Sequence, residues 1–180
     1  MIRTFNRVSD ISGRQLFSEE QRFPRWLGLF LILPLLMVLG FLLWLWNSGE
    51  EEKQELIIAL AIVIPINVIL FSYFLTSRFE KVVTSNGLYF RWRPWQSRYR
   101  WLQYSEIRDV RVRQAPPMKY GTGPTFSYGW VHIANGRRGL QLTMTNGKKL
   151  FLGAKDVEEF SKAVNAMIRA QDKNYERLHR

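Results

Sequence analysis

Two long apolar runs, followed by a series of short alternating segments, divide this chain into unlike parts. The first run, 26–46, holds 21 residues without a charge, and the second, 56–75, holds 20. A helix rises about 1.5 Å per residue, so each run is long enough to cross the roughly 30 Å hydrocarbon core of a bilayer. In lipid, a helix satisfies the hydrogen bonds of its own backbone. The pattern therefore predicts an α-helical transmembrane hairpin.

The charges beside the two runs give the predicted hairpin an orientation. The connecting segment, 47–55, contains four glutamates and one lysine, whereas both outer flanks are rich in arginine. Because Lys and Arg are retained on the cytoplasmic side, we expect a multi-pass protein of the plasma (inner) membrane with both termini in the cytoplasm. In the leader, 1–25, capping-box spacing from Ser18 to Gln21 predicts a short interfacial helix.

Beyond residue 75 the hydrophobic pattern changes from helical spacing to alternation. Alternating segments and Asn-Gly turns predict seven strands, and consecutive order favours antiparallel pairing, with the first four as a meander. A loop, 114–125, with three prolines and two glycines, separates the fourth strand from the fifth. The predicted strands are 78–84, 88–93, 97–102, 107–113, 127–134, 139–145 and 148–152.

A helix is expected after the last strand. Asp156 stands at an N-cap position with Glu159 three residues later, and apolar residues from Val157 to Ile168 follow helical spacing. One apolar stripe should therefore pack on the sheets. The expected domains are a cytoplasmic leader, the hairpin, a mainly β domain and a polar tail that frays, at 1–25, 26–75, 76–170 and 171–180.

Short motifs lie on both sides of the apolar runs. They are Phe17-Ser18-Glu19-Glu20-Gln21-Arg22-Phe23 with Trp26, Tyr128-Gly129-Trp130-Val131-His132, Gly139-Leu140-Gln141-Leu142 and Asn146-Gly147-Lys148-Lys149. With these motifs the chain resembles a group of largely uncharacterised bacterial proteins in which a two-helix membrane anchor precedes a pleckstrin-homology-like (PH-like) domain. The resemblance implies a PH-like fold of seven antiparallel strands plus a C-terminal helix, held at the membrane. It carries over no catalytic residue.

The excess positive charge of the chain lies after residue 75. The first 75 residues carry 6 Lys and Arg against 7 Asp and Glu, and the rest carry 20 against 8, so −1 and +12 give the total of +11. A strongly basic domain favours anionic partners. Because the domain is tethered to the bilayer, anionic phospholipid is the nearest such partner.

Pairs of arginines recur at strand spacing in three of the predicted strands. If the strands pair in order, all six arginines share the outer face of one sheet. Like charges opposite one another repel, and anionic lipid would relieve the repulsion at about 1 kcal/mol per basic residue. In the alternative, the face is solvated and the arginine stems cover apolar surface. The candidate lipid or partner surface comprises Arg91, Arg93, Arg98, Arg100, Arg111 and Arg113.

Three classes of function remain open. In the first, the basic domain is a binding module at the inner leaflet. In the second, it is a scaffold or regulatory subunit, and the loop 114–125 with a strand edge docks a protein partner or another copy of the chain. In the third it binds nucleic acid at the membrane, against which Trp92, Tyr99 and Trp101 are expected on the face opposite the arginines, where they cannot stack bases among the charges.

The residue patterns of an enzyme site are missing from the sequence. Without cysteine there is no thiolate nucleophile, disulfide framework or Cys-based metal site. The two histidines, His132 and His179, accompany neither a nucleophile motif nor a metal-ligand spacing. We therefore expect a non-enzymatic protein with no catalytic residue, no cofactor and no metal site.

Overall fold

A computed structural model describes residues 6–8, 10–48, 53–117 and 119–178. The chain divides into two compact units, of which one is Phe23–Ser77. The other is formed by Met1–Arg22 together with Arg78–Arg180. The first unit is thus inserted into the sequence of the second.

The inserted unit holds two apolar helices, α1 (Arg25–Ser48) and α2 (Lys53–Thr76). Each contains one proline in its body, and Phe23 stacks on Phe74 with ring centroids 4.9 Å apart. Their residues are apolar all round, which is typical of helices that are surrounded by lipid or by other apolar groups. The structure thus confirms apolar helices over both predicted runs.

One helical segment among the described residues is long and apolar enough to cross a membrane. It is Arg25–Trp44, with a mean hydropathy of 2.6, and it is a candidate span by length and composition alone. The apolar part of α2, Leu60–Thr76, is shorter. The sequence predicts two spans where one meets this criterion, and the glutamates at 50–52 lie outside the described residues.

The β unit contains two five-stranded sheets. Sheet A is antiparallel throughout, with the strand order β1-β5-β4-β3-β2. Alternating apolar residues in these segments favour strands because one face of each can be buried. The strands are β1 (Asn6–Val8), β2 (Gln15–Arg22), β3 (Arg78–Thr84), β4 (Gly87–Arg93) and β5 (Tyr99–Leu102).

A short 3-10 turn, Tyr104–Glu106, leads from sheet A to sheet B. Sheet B has the order β6-β9-β10-β8-β7, in which β10 and β8 are parallel and the other pairs are antiparallel. Its strands are β6 (Ile107–Gln114), β7 (Gly121–Thr125), β8 (Gly129–Ile133), β9 (Arg138–Met144) and β10 (Lys149–Ala154).

Each of the seven predicted segments contains a strand, but the expected arrangement is wrong in two respects. The meander ends after β5, because β6 leaves sheet A and pairs with β9. One pair, β8 with β10, is parallel rather than antiparallel. Three further strands are present: β7 within the predicted loop, and β1 and β2 in the leader.

The leader is part of the β unit and not a separate segment with a helix. Residues with capping-box spacing, Ser18 to Gln21, lie in β2, which pairs with β3 along its length. Phe17 and Gln21 are buried, so alternate residues of β2 enter the interior. The backbone hydrogen bonds and burial gained in the sheet outweigh a weak local helix signal.

Helix α3 (Val157–Leu178) closes the core. It begins as predicted, with the Asp156 carboxylate accepting a hydrogen bond from the Glu159 backbone amide at 3.0 Å. Val157, Phe160 and Val164 are buried, which confirms the apolar stripe. The helix continues to Leu178, eight residues beyond the expected end of the domain at residue 170.

Candidate functional site

Arginines line the end of sheet A at which β2 stops and β3 begins. Arg22, Arg78 and Arg93 are direct neighbours across β2, β3 and β4. The next row on the same face consists of Glu20, Glu80 and Arg91. We call these six residues the arginine end of sheet A. Four arginines against two glutamates leave a formal charge of +2.

The two glutamates offset the repulsion within the arginine row. Glu20 lies 3.4 Å from Arg22 and 3.2 Å from Arg78, and both pairs are partly exposed. Glu80 lies 2.6 Å from Arg91 and 3.5 Å from Arg93. Arg91 is largely buried, whereas the side chain of Arg93 is half exposed. Arg91 therefore has a structural role, and Arg93 remains accessible to an anion.

The turn that follows Arg93 adds an exposed aromatic ring and further cations. Trp95 is 72% exposed, far more than the other tryptophans that the structure describes in the β unit. Together with Arg98 and Arg100 it lines a cavity of about 380 Å³. The turn thus places an indole ring and guanidinium groups together at the surface of the β unit.

The six arginines of the candidate surface do not share one face, so that prediction is wrong. Arg91 and Arg93 lie on the outer face of sheet A, but Arg100 pairs with Phe90, whose side chain is in the core. The pairing register determines this, because a shift of one residue moves every side chain to the other face. Arg111 and Arg113 belong to sheet B.

The expected separation of aromatics from arginines is also wrong for Tyr99 and Trp101. Tyr89 pairs with Trp101, and the Arg91 guanidinium lies 4.0 Å from the centre of the Tyr99 ring. Both residues thus lie on the arginine face. Tyr99 is buried, however, and offers no open ring for stacking with bases, while Trp101 is half-buried and stacks on the Tyr89 ring.

The arginines of sheet B are in different surroundings. Arg111 is exposed and pairs with Asp109 at 2.6 Å. Arg113 donates a hydrogen bond to the Gln141 side chain at 2.7 Å, and its guanidinium lies 4.8 Å from the centre of the Tyr128 ring. Arg113 therefore covers an aromatic side chain, as the solvated-face alternative predicts.

His132 is a core residue of β8. Its Nδ1 accepts a hydrogen bond from the Trp92 indole at 2.9 Å, and its ring stacks on Phe79. Burial, and secondarily the charge of Arg100, lower the pKa of His132 to about 3, so the imidazole is neutral near pH 7. The other histidine, His179, lies outside the described residues.

A buried ion pair was not predicted from the sequence. Lys81 is completely buried, 3.4 Å from Glu19, and its Nζ donates to the Gly153 carbonyl of sheet B at 2.6 Å. Burial lowers the pKa of Lys81 to about 8, while the charge of Glu19 opposes that shift. The sequence holds one signal of this pair: both charged residues stand at positions that alternation places on the inward face of their strands.

Comparison with known proteins adds no assignment. No protein-family model, curated protein or solved structure matches the chain. Within the described residues, no group of three or more His, Cys, Asp or Glu side chains is placed to hold a metal ion. The function is therefore inferred from the geometry of the β unit and from the two apolar helices.

Proposed function

We propose that this is an integral membrane protein whose PH-like β unit acts as a non-enzymatic binding module at the cytoplasmic leaflet, with anionic phospholipid as its partner. One observation carries the proposal. The arginine end of sheet A is the end at which the chain leaves for α1 and returns from α2.

The pairing of β2 with β3 supports two membrane crossings. Arg22 and Arg78 are neighbours in one sheet, so the chain returns to the place it left. If α1 crosses a bilayer, the chain has to cross back before Arg78, and α2 is the described segment that lies between them. The arginine-rich flanks then favour the cytoplasm for both termini.

The charge next to the helices supports contact with lipid head groups. Arg22 lies three residues before α1, and Arg78 lies two residues after α2. Anionic lipids of the cytoplasmic leaflet attract such basic residues with about 1 kcal/mol each. Arg93, Arg98 and the exposed ring of Trp95 extend the same end of the sheet. Since the proposed membrane helices and the β unit belong to one chain, the β unit does not require a high affinity to contact lipid.

A single labelled cysteine tests this proposal, because the chain has no cysteine of its own. Ser97→Cys places a thiol in the exposed turn after Arg93 of the full chain, and an environment-sensitive fluorophore is attached to that thiol. In nanodiscs with about 30% phosphatidylglycerol we expect blue-shifted emission relative to discs of phosphatidylcholine alone. Thr145→Cys, on the exposed turn between β9 and β10, is the control. The same emission of the Ser97→Cys label in both discs would refute the proposed contact with anionic phospholipid.

A second candidate is a scaffold or regulatory subunit of a membrane protein complex, with another protein or with a second copy of the chain. The observation that favours it is Phe126, whose side chain is fully exposed at the turn between β7 and β8. Exposed aromatic rings are common anchors of protein interfaces. Thiol crosslinking from Ser127→Cys in native membranes tests it, since a defined adduct is expected and Phe126→Ser should remove that adduct.

A further inference from the structure

A second cationic groove lies in the β unit, on sheet B. It has a volume of about 490 Å³ and is formed where the segment after β6 meets the turn before β9. One wall is largely apolar and the other is basic. The residues that line the apolar and basic walls of the groove include Pro116, Pro117, Lys119, Tyr120, Arg137 and Arg138.

The backbone around the groove is held in place by hydrogen bonds. Ala115 donates from its amide to the Arg137 carbonyl at 2.7 Å, which ties the two walls together. Gly136 has a φ of +106°, and a Cβ there would lie 2.5 Å from the Ala154 carbonyl oxygen. Glycine is therefore required at this turn, and the arginines that follow it extend from a defined backbone.

Two cations of the groove are available to a ligand. Arg138 pairs with Glu158 at 2.9 Å, but no such ion pair involves Lys119 or Arg137 within the part of the chain that the structure describes. The Lys119 ammonium lies close to β7, because a Cβ built on Gly123 would be 3.1 Å from its Nζ. No acidic side chain is among the described residues that line the groove.

We propose that this groove binds a small organic phosphate, with the phosphoryl group between Lys119 and Arg137 and the carbon part against Pro116, Pro117 and Tyr120. One guanidinium group can donate two parallel hydrogen bonds to the oxygens of a phosphate, and an ammonium group adds a compact second positive charge. The volume falls in the range of about 300–1,000 Å³ that is usual for small-molecule sites. The inference does not depend on the lipid contact proposed for sheet A.

Calorimetry on the full chain in phosphatidylcholine nanodiscs tests the site with phenyl phosphate as the probe. We expect saturable binding, with phenol silent and inorganic phosphate weaker because it lacks a ring for the apolar wall. Arg137→Gln should weaken binding on the order of tenfold, since a charge-assisted hydrogen bond is lost. Lys119→Gln should have an effect in the same direction. Lys148→Gln, an equal loss of charge on an exposed turn outside the groove, should have none.

The source of the phosphate is distinguished by a second titration. Dihexanoyl phosphatidic acid that binds more tightly than phenyl phosphate would identify a lipid head group as the ligand, and the reverse order would identify a soluble phosphate ester. Absence of phenyl phosphate binding would overturn the proposal, as would equal weakening by Lys148→Gln and Arg137→Gln. Unchanged thermal unfolding of each variant would show that the fold is retained.

Discussion

Sheets A and B have the same number of strands but place their arginines in different surroundings. In sheet A, Arg91 and Arg93 share Glu80 across a strand pair and lie beside an exposed tryptophan turn. In sheet B, Arg113 covers the Tyr128 ring. Arginines with the same spacing in the sequence therefore form the accessible arginine end of sheet A, but in sheet B an arginine covers an aromatic side chain.

The two sheets also differ in what interrupts them. In sequence, the whole helical unit lies between β2 and β3, which are neighbouring strands of sheet A. The neighbouring strands β9 and β10 of sheet B are joined by a short turn. Glu19 and Lys81 face each other across β2 and β3, and Lys81 reaches sheet B through Gly153. The buried pair thus holds the leader strand, sheet A and sheet B together.

The largest loss of stability is expected from Glu19→Gln, which breaks the buried ion pair between β2 and β3. The variant leaves the buried Lys81 ammonium without its carboxylate, and breaking a buried pair in this way costs about 3–5 kcal/mol. Urea unfolding of the full chain in micelles, followed by tryptophan fluorescence, measures the free energy of unfolding. Because the folded pKa of Lys81 is lowered to about 8, its ammonium loses its proton in the folded state as the pH rises through about 8, and the loss caused by Glu19→Gln should shrink over that range.

Glu20→Gln is the matched control for this prediction. Glu20 is adjacent in β2 but on the outer face, where its ion pairs with Arg22 and Arg78 are partly exposed. Its loss should cost less than about 1 kcal/mol. Comparable destabilisation by Glu19→Gln and Glu20→Gln would contradict a special role for the buried pair.

A smaller, pH-dependent effect should come from His132, which links Trp92 of sheet A to sheet B. Its folded pKa of about 3 lies below the unfolded value of 6.5, so its stabilising contribution is complete above pH 6.5 and is lost as the pH falls toward 3. Between pH 7.5 and pH 5.0 the loss should be about 2 kcal/mol.

Unfolding of His132→Gln at the same two pH values isolates this contribution. The variant should be less stable near neutral pH, because the Trp92 indole loses its imidazole acceptor. Its further loss on acidification should be smaller than that of the parent by the amount predicted for His132. An unchanged pH dependence would show that another group is responsible.

The difference between the sheets in lipid contact can be sharpened with two double variants of equal charge. Arg93→Gln with Arg98→Gln should reduce the response of the Ser97→Cys label to phosphatidylglycerol. Each lost arginine should lower the ratio of lipid-bound to unbound β unit by about fivefold. Arg111→Gln with Arg113→Gln should leave the response unchanged. If both pairs reduce it equally, net charge and not the arginine end of sheet A is responsible.

The smallest effect is expected within sheet B itself. Arg113→Gln should lower the free energy of unfolding by about 1 kcal/mol, since it loses a hydrogen bond and a cation–π contact. Arg111→Gln removes only an exposed pair and should change it by less than about 0.5 kcal/mol. Unfolding of both variants in parallel measures the difference.

Much of the local structure was predictable from the sequence. Strand β3 has the predicted bounds, the Asn-Gly pairs lie at turns, and α3 starts at the predicted N-cap. These features depend on neighbours within a few residues, through alternation, turn geometry and capping. The sequence predicts the candidate site only in part: Arg93 and Arg98 lie at or beside the arginine end of sheet A, whereas the exposed turn at Trp95 does not follow from the sequence pattern.

What the sequence alone determined is the division into apolar helices and a basic, alternating domain, because bilayer-length runs and strand periodicity are local properties. Tertiary structure decided the rest. It placed the leader beside β3, moved β6 into a second sheet, and buried Lys81 among groups far away in sequence. Pairing between remote segments sets the register, and the register sets which side chains meet. For that reason six similar arginines have different surroundings in the folded protein.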